Sequence, residues 1–544
     1  MLPRINLPPK PWALVVLAAL FLVPGLASHD LWKTQDAIGL GVVHAMAVSH
    51  DIVVPHIAGQ IWLYDQPLYH WFALVFGLLL GWAMEFHAAA RLASGVFVAV
   101  AFWLIYLAGR EWSSEEQRRV TSSAALLTLL GSLGLLVHAH EALPELASLT
   151  AMCGALAALP YLIEKPRRAG LAFGVALGLA FLSATWIAPV SLALAVVAAQ
   201  FGCPEWRMRR KSPFLLTALA AAVVVGAIWP LALRIRSAEL FEAWRAIQFA
   251  REGTLAGNLR HFIATAAWFT WPAWPLAIWG AWSLRRRWRE TRLFVPALTV
   301  VLMIVLHVIW GPPQDENLIP LLPPLALLAA HGVHALRRGA FAALDWFGVL
   351  TFAVAAGFVW VAYIAMLTGV PGPISRNFAR IAPGFVMHFQ PIALVIALAL
   401  AAAWLYVVFY TSFSPMRSVA RWACGIVLLW GTFAMLWMPW VDYQKSYRLV
   451  AAAIKAKVPA GTKCIADRAL GVSQAAALDY RGGIRTQSFD PTRPTACSVV
   501  LVQGSPGTEN DAPPAISGRR WVKIADVGRP GDRSERYRLY RLDR

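Results

Sequence analysis

Three carboxylates stand in this sequence close to long apolar runs. Asp36 and Asp65 follow the first such run, and Glu145 begins a later one, with histidine and aromatic residues near all three. If these runs cross a membrane, a carboxylate kept at the boundary is costly and is therefore a candidate for a functional site. Such a group can accept the proton of an attacking hydroxyl or orient a charged substrate.

Basic residues form a second candidate group in the stretch 234–261. This stretch contains the five arginines Arg234, Arg236, Arg245, Arg251 and Arg260, together with the glutamates Glu239, Glu242 and Glu252. The planar guanidinium group matches the geometry of phosphate oxygens, so the stretch is a candidate phosphate-binding site. The alternative is that these arginines contact lipid headgroups or pair with the three glutamates.

The composition identifies the surroundings in which these groups must work. Of the 544 residues, 59% are hydrophobic and only 14% are charged, and the mean hydropathy is +0.57. A chain this apolar is predicted to have lipid as its main solvent. The net charge of +19 is explained by basic clusters between apolar runs, which orient membrane proteins, and not by nucleic-acid binding.

The apolar runs predict an all-α polytopic membrane domain of about 13 transmembrane helices. Runs of sufficient length lie near 11–27, 88–108, 120–138, 145–163, 213–233, 262–284, 293–310, 318–335, 346–369, 389–411 and 422–440. The uncharged stretch 169–200 is interrupted at Ser183, Ala184, Thr185 and Pro189, and we interpret it as two short crossings. The apolar run 67–84 is interpreted as a segment that lies along the membrane surface.

The basic clusters predict which side each loop faces. With 67–84 on the surface, the clusters 110–119, 165–168, 207–211, 285–289, 337–338 and 417–421 all fall on one side, together with Arg4 and Lys10. The positive-inside rule makes that side cytoplasmic. The chain is therefore predicted to be an inner (plasma) membrane protein with a cytoplasmic N-terminus. The first loop (28–87), the stretch 234–261 and the C-terminal part face the periplasm in this topology.

The chain divides into two predicted domains. Residues 1–440 form the transmembrane domain, and residues 441–544, called here the C-terminal domain, form a small periplasmic α/β domain. Within it, helical periodicity covers 443–457, and alternation predicts strands at 462–466, 484–488, 497–503, 519–526 and 535–541. Cys464 and Cys497 are able to form a disulfide bond if this domain is extracytoplasmic.

Several motifs resemble those of the bacterial GT-C glycosyltransferases that use polyprenyl-phosphate sugars. Asp36 follows Thr34, a helix N-cap position, on a predicted surface helix; DIVVPHIAGQ (51–60) and YDQPLYHW (64–71) come next. HAHEALPEL (138–146), HFIATAAWFTWPAWPLAIW (261–279) and NLIPLLPPLALLAA (317–330) resemble later family segments. The nearest families are the aminoarabinose transferases of lipid A and the bacterial relatives of protein O-mannosyltransferases, and the resemblance covers nearly the whole chain.

The resemblance implies an inverting transfer of a sugar from a polyprenyl phosphate to a periplasmic acceptor, such as lipid A or another lipid or glycan. It implies that Asp36 is the base or positions the acceptor, with Glu145 as a second acidic group at the same cavity. It places the donor near Tyr64, Asp65, Gln66 and Tyr69, with Arg251 and Arg260 facing the phosphate. It also permits a divalent metal ion between Asp65 and His261, a pairing without support from a recognised metal-ligand spacing.

The sequence departs from the family pattern at two places. Gln66 and the single Pro67 replace the usual Lys-Pro-Pro, and Gln314 to Asn317 replace a basic residue and a tyrosine. Both lost groups would help to hold the lipid phosphate, so arginines of 234–261 are the candidate replacement. The departures leave the sugar and the acceptor open.

Other functions fit part of the pattern. A transporter or flippase for lipid-linked sugars would also have many interrupted helices, but transporters place ionisable groups near the bilayer midplane. Here the carboxylates gather at one surface. A protein acceptor with the same chemistry, and a scaffold protein that binds partners through its C-terminal domain, are the remaining alternatives.

Overall fold

The computed structural model describes residues 5–206, 211–311, 314–333, 335–488, 497–505, 520–532 and 534–543. Helices account for most of this part of the chain, and the strands are confined to one short hairpin and one C-terminal sheet. The basic cluster at 207–210 and residue Arg4 lie outside the described residues.

The helices of the transmembrane domain follow one another with short connections. They are α1 Pro11–Leu22, α2 Gln35–Ser49, α3 Leu68–Leu80, α4 Phe86–Glu111, α5 Arg118–Leu130, α6 Leu135–His138, α7 Pro144–Ala158, α8 Pro166–Phe181, α9 Ile187–Gly202, α10 Lys211–Gly226, α11 Ile228–Arg236, α12 Ala238–Gln248, α13 Leu255–Phe269, α14 Ala273–Ser283, α15 Thr291–Trp310, α16 Leu322–Val333, α17 Arg338–Thr368, α18 Gly372–Ile381, α19 Pro391–Tyr410 and α20 Pro415–Leu436. The strands β1 His56–Ile57 and β2 Gln60–Ile61 form the hairpin in the first loop.

Every predicted apolar span contains a helix, and this confirms the helical membrane domain. Seven helical segments of the described residues are long and apolar enough to cross a membrane in one piece: 86–111, 144–162, 213–236, 291–310, 338–368, 391–410 and 415–436. The remaining spans are shorter or broken helices, so the count of thirteen crossings and the orientation stay predictions. The stretch 169–200 forms two helices, α8 and α9, as predicted from its break at 183–185.

The largest apolar core lies inside the bundle. It is built from α1, α4, α5, α7, α8, α9, α14, α15, α16 and α20. A second core packs α2 and α3 of the first loop against residues of α4, α7, α11 and α12, and it includes Ala476 of the C-terminal domain. This second core is the frame on which the candidate site is built.

Close contacts on both sides hold α2 in place. A Cβ atom on Gly39 would come within 2.0 Å of the carbonyl oxygen of Ala142, and one on Gly41 would lie 2.6 Å from the Cβ of Ala476. Only glycine permits backbones to approach so closely at these positions. Because α2 is wedged between the loop before α7 and the C-terminal domain, the residues at its N-terminus have a defined position.

The C-terminal domain is the predicted α/β unit. Its helices are α21 Met438–Lys445, α22 Arg448–Lys457 and α23 Val472–Gly482, and its strands are β3 Ile465–Arg468, β4 Thr486–Ser488, β5 Val499–Gly504, β6 Trp521–Val527 and β7 Arg536–Leu542. The strand order is β4-β3-β5-β7-β6, with β3 parallel to β4 and β5 and with β7 antiparallel to β5 and β6. The predicted helix 443–457 is divided at 446–447, and α23 was not predicted. A disulfide bond joins Cys464 to Cys497.

Candidate functional site

Asp36 is held by a buried arginine. As predicted, it lies in the first turn of a helix, α2, although the Thr34 side chain does not cap that helix. Both Asp36 and Arg91, on α4, are fully buried. Arg91 donates from Nε to Oδ1 of Asp36 at 3.0 Å and from Nη2 to Oδ2 at 2.8 Å. This two-point contact is the strong geometry of an arginine–carboxylate pair.

Backbone groups complete the surroundings of this ion pair. The Asp36 carboxylate also accepts hydrogen bonds from the N–H of Trp32 at 3.1 Å and of Ala142 at 2.8 Å. Burial by itself would raise the pKa of Asp36, but the charge of Arg91 and the hydrogen bonds from Arg91 and the N–H of Trp32 together outweigh it, so the pKa lies below the ordinary value. The same two factors, burial and Arg91, lower the pKa of His29 to about 3. Asp36 is therefore ionised, with all its acceptor positions in use.

A second group of carboxylates lies beside this pair. Glu316, in the 3₁₀ helix Asp315–Leu321, is buried, and its Oε1 accepts a hydrogen bond from Nε2 of Gln35. Burial raises the pKa of Glu316, and the neighbouring charges of Asp315 and Asp65 add to that effect, whereas His138 opposes it. Glu316 is thus a carboxyl group with a strengthened affinity for a proton.

Glu145 belongs to the same group. It lies in the first turn of α7, only 7% exposed, and the charges of Glu316 and Asp65 act on it. Asp65 accepts a hydrogen bond from Nε1 of Trp62 at 2.8 Å, and burial raises its pKa. The structure therefore brings together Asp65 and Glu145, which are 80 residues apart in the sequence, and adds Glu316 to them. We call these three residues the acidic cluster.

The residues around Asp65 separate into exposed and buried ones. Tyr64 is 54% exposed and lines a cavity together with Trp186, Gln248 and Trp310. Gln66 and Tyr69 are buried, and the Tyr69 hydroxyl hydrogen-bonds Oγ of Ser94 at 2.7 Å. Of these predicted donor-binding residues, Tyr64 is thus the one that lines this open space.

The two predicted phosphate ligands are both exposed. The guanidinium of Arg251 lies 4.7 Å from the ring centre of Trp310, a cation–π contact. Because Trp310 lines the Tyr64 cavity, Arg251 stands beside that cavity. Arg260, on α13 (Leu255–Phe269), takes part in no ion pair among the described residues. The stretch 234–261 therefore contributes at least one arginine beside the cavity.

His261, one member of the predicted metal pair Asp65–His261, faces Asp315 in the structure, with Nε2 3.6 Å from Oδ1. Its Nε2 also lies 3.3 Å from Oγ1 of Thr265. Within the described part of the chain, no three His, Cys, Asp or Glu residues are arranged to hold a metal ion. The metal pair and metal dependence therefore stay predictions.

Sequence reasoning missed three residues of this region. Arg91 stands inside an otherwise apolar span, and an ionisable residue in such a span is a signal of a functional or structural pair. Glu316 was noticed only as a departure from the family pattern. Gln35 carries no signal in the sequence, because its bond to Glu316 joins residues 281 positions apart.

Comparison with known proteins supplies related sequences. No protein-family model matches the chain. The chain is 27% identical over 454 residues to the undecaprenyl phosphate-α-4-amino-4-deoxy-L-arabinose arabinosyl transferase of Pseudomonas aeruginosa (strain UCBPP-PA14), covering 78% of this chain and 75% of the relative. It is 26% identical over 379 residues to the enzyme of the same name from Aeromonas salmonicida (strain A449), covering 63% of this chain and 65% of the relative.

Solved structures show the same fold. ArnT from Cupriavidus metallidurans bound to undecaprenyl phosphate superposes with a TM-score of 0.69, at 17% sequence identity and over 97% of both chains. Its apo state gives a TM-score of 0.68 at 16% identity. The chain therefore has the predicted GT-C-like architecture, with a helical membrane domain and a small C-terminal domain.

Proposed function

We propose that this chain is a membrane glycosyltransferase that moves a sugar from a polyprenyl-phosphate donor to an acceptor at the outer face of the inner membrane, with inversion at the anomeric carbon. Its likeness to undecaprenyl-phosphate aminoarabinose transferases over 78% of its length supports this. The observation that carries the proposal is that the charges of Asp65 and Glu316 act on Glu145, while Tyr64, the chain neighbour of Asp65, lines a cavity beside Arg251.

The donor is assigned to the cavity lined by Tyr64 and Trp310. A glycosyl transfer from a lipid phosphate builds up negative charge on the leaving phosphate and positive charge on the anomeric carbon. Arg251, at the rim of this cavity, stabilises the phosphate as its charge grows, and an interaction that strengthens in the transition state accelerates the reaction. Arg260 is the second candidate for this role.

The acceptor is assigned to the acidic cluster. A carboxylate whose pKa is raised is a stronger base, and Glu316 has this property because it is buried among like charges. Glu316 or Glu145 takes the proton of an acceptor hydroxyl, a contribution of roughly 10²–10⁴ in rate. If the acceptor is a phosphate, as on a lipid such as lipid A, the cluster would instead carry the proton shared with that phosphate.

We propose a structural task for Asp36 beside the predicted one. Its carboxylate oxygens are occupied by Arg91, Trp32 and Ala142, so we propose that Asp36 positions the N-terminus of α2 and with it Gln35. Gln35 then holds Glu316 in place. We propose the orientation given by the basic clusters, with the acidic cluster on the periplasmic side, and no step here passes through a metal ion.

The test is a transfer assay with purified protein. Wild type, Glu145→Gln and Glu316→Gln would be incubated with radiolabelled polyprenyl-phosphate sugars, including the aminoarabinose donor, and with a membrane lipid extract. We expect wild type to move label to a new lipid or glycan. Each variant should lose about 10²-fold or more in kcat, with a smaller change in the donor KM.

Glu239→Gln is the matched control, because Glu239 is exposed on α12 and lies outside the cluster. It should keep wild-type activity. Transfer by wild type and by both cluster variants at equal rates would leave the enzyme class standing and remove the cluster from the mechanism. If wild type moved no sugar from any donor but carried the labelled donor across the membrane of vesicles, the protein would be a flippase and not a glycosyltransferase.

A further inference from the structure

A buried ion pair joins the C-terminal domain to the first loop. Asp30, only 1% exposed, accepts hydrogen bonds on Oδ1 from Arg481 at the end of α23, from Nε at 2.7 Å and from Nη2 at 2.5 Å. The same guanidinium donates from Nη1 to Glu85, the residue before α4, at 2.8 Å. One arginine of the C-terminal domain therefore binds both the first loop and the start of a transmembrane helix.

Arg91 binds the same loop at Asp30 and at the residue before it. It donates to the carbonyl oxygen of His29 at 3.0 Å and to that of Asp30 at 3.1 Å, in addition to its contacts with Asp36. Asp30 is thus held through its side chain by Arg481 and through its backbone by Arg91. Six residues further along lies Asp36, and Gln35 beside it reaches Glu316.

Further contacts make the attachment extensive. The N–H of Asp30 donates to Oδ1 of Asp442 at 2.6 Å, and Nε1 of Trp32 donates to the same atom at 3.2 Å. Lys33 pairs with Glu535 of the C-terminal domain. Asp30, Trp32 and Lys33 thus each bind a residue of this domain, so the conformation of the segment 29–36 depends on the domain.

We propose that Arg481 is a positioning residue for the transfer reaction. By holding Asp30, Arg481 fixes the conformation of the segment 29–36. This segment positions Gln35, and Gln35 in turn holds the carboxylate of Glu316. The C-terminal domain is then a part of the catalytic unit, although it contributes no residue to the acidic cluster. This inference rests on the proposed function.

The experiment compares Arg481→Gln and Arg481→Lys with wild type in the full-length protein. We expect Arg481→Gln to lower kcat by about 10- to 100-fold, because a small displacement of a reacting group has effects of that size. The donor KM should stay within about twofold, since neither Asp30 nor Arg481 lines the Tyr64 cavity. Arg481→Lys keeps the charge but loses the planar fork, and should recover part of the rate.

Hydrogen–deuterium exchange of the peptide 28–37 provides a readout that does not depend on activity. Exchange there should be faster in Arg481→Gln than in wild type. The matched control is Arg536→Gln, whose guanidinium pairs with Asp526 at 2.8 Å within the C-terminal domain. It should leave both kcat and exchange at 28–37 unchanged.

The outcomes separate the two proposals. An inactive wild type with faster exchange in Arg481→Gln would overturn the proposed function and retain the ordering of the loop by Arg481. An active wild type and an unchanged kcat in a folded Arg481→Gln would overturn the positioning role. If Arg481→Gln did not fold, Arg481→Lys would decide, because normal kcat and normal exchange in that variant contradict the proposal.

Discussion

Arg91 and Asp36 form a two-point ion pair at 3.0 Å and 2.8 Å in a place closed to solvent. The pair joins the first turn of α2 to α4 and engages both oxygens of the Asp36 carboxylate. A charged pair of this kind contributes little net stability, yet the loss of one partner is costly because the other charge remains buried. The role of this ion pair is therefore best tested by measuring the stability of variants as well as their activity.

Asp36→Asn is expected to lower the free energy of unfolding by about 3–5 kcal/mol, because Arg91 keeps its charge without a counterion. Asp36→Asn combined with Arg91→Gln should recover part of that loss, since no charge is then left buried. Thermal unfolding in detergent, followed by tryptophan fluorescence, measures both. If Asp36→Asn were as stable as the exposed-site control Glu239→Gln, the buried Arg91 would not require Asp36 as its counterion.

Because of Glu316, the stability of the folded protein is expected to depend on pH. Its pKa in the folded protein lies above the ordinary value of 4.5, so the folded state binds this proton more tightly than the unfolded state. The contribution to stability is complete below 4.5 and is lost as the pH rises through the folded pKa. Glu316→Gln should therefore unfold at a higher temperature than wild type near pH 7, although its transfer activity is lower.

Thermal midpoints of wild type and Glu316→Gln, measured from about pH 4 to about pH 8, check this sign. The difference between the two proteins should grow with pH. A difference that stays constant over this range would mean that the proton affinity of Glu316 is the same in the folded and unfolded protein.

The affinity for the donor is expected to depend on the charge and the planar shape of the side chain at position 251. Arg251→Gln should raise the donor KM by about tenfold, because a hydrogen bond to a charged group is lost. Arg251→Lys should fall between the two, since lysine keeps the charge but not the planar contact with Trp310. The control is Arg245→Gln, whose arginine pairs with Glu242 on the exposed side of α12. Equal donor KM values for wild type and the three variants would show that the donor phosphate binds elsewhere, with Arg260 as the next candidate.

Loss of the disulfide bond is expected to destabilise the C-terminal domain alone. Cys464 and Cys497 are 33 residues apart, and a bond that closes a loop of this size contributes about 3–4 kcal/mol. Cys464→Ser together with Cys497→Ser should lower the unfolding temperature of this domain and increase exchange in β3 and β5. Unchanged exchange in both strands would show that the bond is not formed in the purified protein.

The helices and strands could be predicted because their signals are local. The apolar runs gave the helical spans, the break at Ser183 to Thr185 separated α8 from α9, and alternation located the five strands of the C-terminal sheet within a few residues. The helix α23 was missed because it is short and half polar, and its apolar face is recognisable only from its packing against α2 and α22.

The sequence by itself determined that this chain is a helical membrane protein with carboxylates at the boundaries of its spans, because hydrophobicity and residue spacing act over short distances. The tertiary structure decided which carboxylates meet and what charge each faces. Asp36 is bound to Arg91 and its catalytic role stays a prediction, whereas Glu316 lies with Asp65 and Glu145. These partners are far apart in the chain, and the pKa of a carboxyl depends on burial and neighbouring charges that only the folded chain brings together.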